Sequence, residues 1–92
     1  LIAGCGHTGL ACMVRIAETT LGQPVVGVVG GLHYGETVTD DVQDGIALLR
    51  ARNARLVSLS PHDTGPTGLA AFAAAFPQAY YTIAVGETIV VR

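Results

Sequence analysis

Charge is scarce in this chain. Of its 92 residues only 13% are charged while 50% are hydrophobic, against about a quarter charged in an ordinary soluble domain. The net charge is −2, with no basic run and no basic patch interleaved with aromatics. That balance excludes electrostatic binding of nucleic acid. Long apolar runs are also missing. Nothing approaches the about 20 residues that a membrane-spanning helix needs, and no signal-like segment opens the chain. A membrane is therefore not an expected partner, and the expected location is cytoplasmic, a signal upstream of Leu1 being the one open exception. Cysteine is scarce as well. Cys5 and Cys12 fall one in a turn and one two helical turns later, which does not suit a mutual disulfide, and free thiols fit a reducing compartment. No linker, low-complexity tract or sequence repeat divides the chain, so it reads as one small domain.

So apolar a composition in so short a chain has two explanations: strands buried on both faces, or a fragment whose apolar face needs a partner. The chain opens on Leu1, inside an apparent strand, and a fragment is the expectation. The pattern along it alternates strands and helices. Leu1-Ile2-Ala3 is a strand, and residues 10–21 carry apolar positions at a 3.6-residue period, with Gly22 and Pro24 as stop signals. Val25-Val26-Gly27-Val28-Val29 is a β-branched run suited to a doubly buried strand. Thr39 or Asp40 caps a helix from Asp41 to about Asn53, acidic at its start and basic at its end. Residues 55–59 form a third strand, and an alanine-rich helix from Thr67 or Gly68 runs to Phe76 before Pro77. Two short strands, 79–85 and 88–91, close the chain around Gly86-Glu87, a pair that suits a type II′ hairpin. The predicted order is β-α-β-α-β-α-β-β, an α/β fold.

The first turn, Gly4-Cys5-Gly6-His7-Thr8-Gly9, supports two readings. By its glycines it is G-x-G-x-x-G, in which Gly4 permits a tight turn, Gly6 admits a pyrophosphate and Gly9 lets helix and strand pack closely. A dinucleotide site also needs an acid at the end of the second strand. Here that strand runs into Gly30-Gly31, and the first acid beyond is Glu36. By its histidine it is the first of three turns that each follow a strand and each carry one imidazole: His7, His33 and His62. If the three strands pair in parallel, their ends share one edge and the imidazoles converge there. Neutral imidazole is the commonest ligand for zinc-like cations, and ligands spread over separate loops suit a catalytic site with an open position. For each histidine alone, a solvated turn residue is the competing account.

Four stretches carry a resemblance: Gly4-Cys5-Gly6-His7-Thr8-Gly9, Gly30-Gly31-Leu32-His33, Pro61-His62-Asp63-Thr64-Gly65 and Val85-Gly86-Glu87-Thr88-Ile89. In order and spacing the chain resembles the C-terminal half of a metallo-β-lactamase-fold hydrolase. The branch it looks like is the one related to β-ribofuranosylaminobenzene 5′-phosphate synthase, also described as dihydropteroate-synthase-related. Proteins of that branch show G-C-S-H-x-G, G-G-F-H, P-x-H-C-T-G and a V-G-x-x-I-like strand. The resemblance implies half of an αββα sandwich. It implies His7 and His62 as metal ligands, and His33 as a ligand or substrate contact at a turn where the wider superfamily offers an Asp. Asp63 stands where a Cys is usual, and either orients a ligand or is a solvated turn acid.

The family's H-x-H-x-D-H motif is nowhere in this sequence. The resemblance therefore implies a metal-dependent hydrolase whose N-terminal half is the missing partner. No catalytic residue is assigned within this half, which alone is expected to be inactive. The implied cofactor is a divalent metal, in the first place a pair of Zn2+ ions with Mn2+ or Fe2+ as substitutes. It would activate water against an ester or phosphoester of a small molecule. Thr8, Gly9 and Thr64 are candidate contacts to an anionic substrate at helix starts. Two alternatives stand beside this: a dinucleotide-binding module using Gly4, Gly6 and Gly9, and a structural or interaction fragment without activity. A thiol enzyme built on Cys5 and a neighbouring histidine is a further one.

Overall fold

A computed structural model describes residues 1–35 and 39–91. Glu36 lies outside the described residues. Six elements follow in order: β1 (Ile2–Ala3), α1 (Leu10–Leu21), β2 (Gly27–Gly30), α2 (Asp40–Ala51), β3 (Leu56–Leu59) and α3 (Pro66–Ala75). The three strands pair in parallel, in the order β1-β2-β3. This is a small Rossmann-like α/β domain, as the alternation of the first six elements predicts. No helix among the described residues is long and apolar enough to cross a membrane.

Local chemistry sets the boundaries. α1 ends where Gly22 takes the left-handed conformation, φ 64° and ψ 25°, and its N–H donates to Glu18 O at 2.8 Å. Glycine meets that geometry without a Cβ penalty. β2 begins two residues later than its β-branched run because the N–H of Val25 donates to Glu18 Oε1 at 2.9 Å instead of to the sheet. α2 carries Asp40 and Asp41 in its first turn and Arg50 in its last, the order that complements the helix dipole. α3 starts earlier than expected, at Pro66, whose fixed φ and missing N–H suit a first helical position.

Register sorts the sheet into two faces. Ala3, Gly30 and Leu59 align, as do Val28 and Val57. These point toward the helices, where Val28 and Val57 meet Val14, Leu49 and Phe72 in a buried cluster. Ile2, Val29 and Ser58 align on the other face, which no helix covers. Ile2 is 87% exposed there. With Leu1, Leu21, Leu56 and Val91 it lines an apolar groove of about 520 Å3.

The last two predicted strands are a correction. After α3 the chain makes a single parallel bridge, Val57 with Tyr80, held by the N–H of Val57 donating to Ala79 O and the N–H of Tyr81 to Val57 O, both at 2.9 Å. From there to residue 91 it forms no strand, only a turn at Val85-Gly86, and Val85 is fully exposed. The turn also differs from type II′. The N–H of Glu87 closes on Ala84 O at 3.1 Å, which puts Gly86, φ +91°, at the third position, as in a type II turn. β-branched runs fit a pleated strand, but they do not supply the neighbouring strand it needs.

One ion pair pins the two longer helices together at their C-terminal ends. Arg52 forks onto Glu18, Nε to Oε1 at 2.6 Å and Nη2 to Oε2 at 3.0 Å, while Glu18 also holds the N–H of Val25. The Arg52 hydrogen bonds first, then the bond from Val25, lower the Glu18 carboxyl to about 2 from 4.5. A lowered folded-state pKa contributes stability that is present above the unfolded value and lost as pH falls through the folded one. Glu18→Gln should therefore unfold at lower urea than the parent above about pH 4.5, and the two midpoints should converge toward about pH 2. A gap that stays constant over that window would remove the ion pair as its cause.

Candidate functional site

The three turns that follow β1, β2 and β3 lie on one edge of the parallel sheet, where α/β proteins place their ligands. They are tied to each other by backbone contacts. The N–H of Gly31 donates to Gly4 O at 2.9 Å, and the N–H of Ser60 to Gly30 O at 2.8 Å. The N–H of Leu32 donates to the hydroxyl of Thr64 at 3.2 Å, and the N–H of Gly65 to Tyr34 O at 3.2 Å. Glycines make this fit possible. A Cβ on Gly6 would strike the Gly31–Leu32 backbone, and one on Gly31 would strike Asp63 and Gly4 O.

This packing explains Gly6 without a nucleotide. The space that the second glycine of a dinucleotide fingerprint leaves for a pyrophosphate is here filled by the second turn. Gly9, φ +92°, has open space where its Cβ would stand and begins α1 without a side-chain cap.

Two of the three histidines come together. The His7 and His33 rings lie 3.7 Å apart between centroids, tilted by 32°. His33 holds a left-handed backbone, φ 53°, which is uncommon for a residue with a side chain and concentrates at functional sites. His62 sits exposed in the third turn and makes no ring contact with the other two. Asp63 is half-buried and packs over Gly31, between the second and third turns. Thr64 is fully buried with its hydroxyl accepting from Leu32, so it joins two turns. Thr8 is exposed beside His7. Cys5 and Cys12 are both free thiols.

Among the described residues no three of the His, Cys, Asp and Glu side chains form a group able to hold a metal ion. What the edge does hold is the paired imidazoles of His7 and His33, with His62 in the third turn.

A cavity of about 410 Å3 opens beside the histidine pair, between the first two turns and α2. It is lined by His7, His33, Cys12, Tyr34, Asp41 and Asp44, among others. Tyr34 is the residue that sequence reasoning missed. Its ring stacks on Phe72, 5.6 Å between centroids and 19° between planes, and its hydroxyl stands where a Cβ on Gly45 would be. Burial first, then the carboxylates of Asp41 and Asp44, push that hydroxyl up to about 12. One signal was available in the sequence: a glycine inside α2 costs about 1 kcal/mol relative to alanine and marks a close approach by something else.

Against protein-family models, curated proteins and solved structures, the chain finds no match.

Proposed function

We propose that this chain is one half of a metal-dependent hydrolase of the metallo-β-lactamase type, with His7, His33 and His62 contributing to a divalent metal centre completed by the other half of the sandwich. The observation that carries the reading is the contact between His7 and His33, from two different strand-to-helix turns. A second feature fits it. On the sheet face opposite the described helices Ile2 is exposed, and Ser58 keeps a buried hydroxyl with no partner among the described residues. A sandwich would lay its second sheet there. The partners are accordingly the N-terminal half and a small-molecule ester or phosphoester.

When bound, divalent ions, Zn2+ first and Mn2+ or Fe2+ after it, supply Lewis acidity and a water of lowered pKa. The chain's own residues do the remaining work. The glycine contacts hold the turns rigid, so the imidazoles are presented from fixed backbone. The uncapped start of α1 at Gly9 offers N–H donors to an anionic group beside Thr8. The half alone, with an incomplete ligand set, is expected to show no measurable hydrolysis.

Calorimetric titration tests the reading. Zn2+ should bind the 92-residue chain, and His7→Ala or His33→Ala should weaken it by more than the roughly tenfold that even an outer-shell partner costs. Tight binding of NAD that survives His7→Ala would sink the metal reading and restore the glycine one.

A further inference from the structure

We propose that Tyr34 is a substrate-positioning hydrogen-bond donor, and that the α2 side of the cavity receives an uncharged, hydroxyl-bearing part of the substrate. The inference rests on the hydrolase reading for the identity of the reacting end. It has its own support at the other end.

Tyr34 follows His33 directly, so the turn that presents the imidazole also presents the phenol. The ring cannot swing away freely. Phe72 backs one face, and the hydroxyl is seated against Gly45 of α2. Phenol hydroxyls held among apolar groups normally find a partner. Among the described residues this one donates to no protein group and is not among the buried polar atoms; it opens into the cavity it lines. A fixed, half-buried donor facing empty space beside two imidazoles is placed to meet a ligand.

The neighbours select the ligand group. Asp41 and Asp44 stand one helical turn apart on α2 and line the same cavity. As carboxylates they only accept hydrogen bonds. The Tyr34 phenol carries an O–H and so can donate. A group that satisfies both must accept from the phenol and donate to a carboxylate. A hydroxyl does both. A carboxylate meets like charge there, and an ammonium has no lone pair to offer Tyr34.

Three phosphomonoesters that differ only in their tails test this on the full chain by NMR-monitored titration, with and without Zn2+. They are glycerol phosphate, propyl phosphate and phosphoglycolate, with phosphoethanolamine as a cationic comparison. Glycerol phosphate should bind about three- to tenfold tighter than propyl phosphate, the range one neutral hydrogen bond supplies. Phosphoglycolate should bind weakest. Tyr34→Phe keeps the ring on Phe72 and should bring the ratio of glycerol phosphate to propyl phosphate affinity to about one, leaving propyl phosphate and the melting temperature unchanged. A merely structural tyrosine would not move that ratio. Asp44→Asn should relieve the penalty on phosphoglycolate. The proposal is overturned if the ratio survives Tyr34→Phe, if phosphoethanolamine or phosphoglycolate binds tightest, or if none of the four binds at millimolar concentration. Failure of Zn2+ to bind through His7 and His33, with the tail preference intact, would instead remove the hydrolase reading and leave the hydroxyl-recognising cavity standing.

Discussion

Gly30→Ala is expected to leave the chain largely unfolded at room temperature. Gly30 has φ +118°, and a Cβ there would be driven into the carbonyl of Ala3 on the neighbouring strand. The backbone conformation alone costs a side-chain residue about 1–3 kcal/mol. The collision adds to it, because neither side can yield cheaply. Ala3 belongs to a two-residue strand paired to Gly30 itself, and the next carbonyl, Gly4 O, is held by the N–H of Gly31. Moving β1 away would break that bond and open the edge on which His7 and His33 meet. Losses above about 4 kcal/mol are exceptional for single substitutions, and small domains have only about 5–15 kcal/mol to lose. Gly4→Ala is the matched control. Gly4 has no positive φ and open space at its Cβ position, so its urea midpoint should stay close to the parent's. Equal midpoints for the two variants would mean that the β1–β2 register is not the one described.

How much of this was legible beforehand differs between the fold and the site. The order from β1 to α3 follows from punctuation whose physics is local: Gly22 ending α1, the acids opening α2, the glycine turn after each buried strand. The convergence of the histidine turns follows from parallel pairing, since parallel strands put their C-terminal ends on one side. Two things did not follow. Residues 79–91 have the β-branched content of strands, but strand formation depends on a partner outside the segment. The chain bridges β3 only at Tyr80 and leaves it after the Tyr81 N–H bond to Val57 O. Tyr34 was invisible for a related reason. Its role comes from Gly45 and Phe72, which lie 11 and 38 residues further along the chain, and nothing local marks a phenol as a cavity wall. The mid-helix glycine at position 45 was the one trace of that contact.

Phe72→Ala should cost about 3–5 kcal/mol and should disturb the cavity before it unfolds the chain. Phe72 is fully buried. It lies between Tyr34, 5.6 Å away, and Phe76, 6.3 Å away, with near-parallel rings on both sides, and it touches the place where Gly45 lacks a side chain. Truncation removes the central ring of that stack. The void is next to an aromatic ring, one able to tilt, and not to rigid backbone, so Tyr34 is the group that relaxes into it. The expected result is a melting temperature lower by about 4–8 °C for each kcal/mol lost. Under conditions where the variant is still folded, the hydroxyl should be displaced from the cavity wall. Phe72→Leu fills most of the volume and should recover much of the stability, but it lacks the flat face on which Tyr34 rests. If Phe72→Leu restores the melting temperature and also the tail preference among the phosphomonoesters, ring stacking does not position Tyr34. If it restores only the first, the core of this small domain and the selectivity of its cavity are joined through one aromatic contact, and the position of the phenol is set from the core outward.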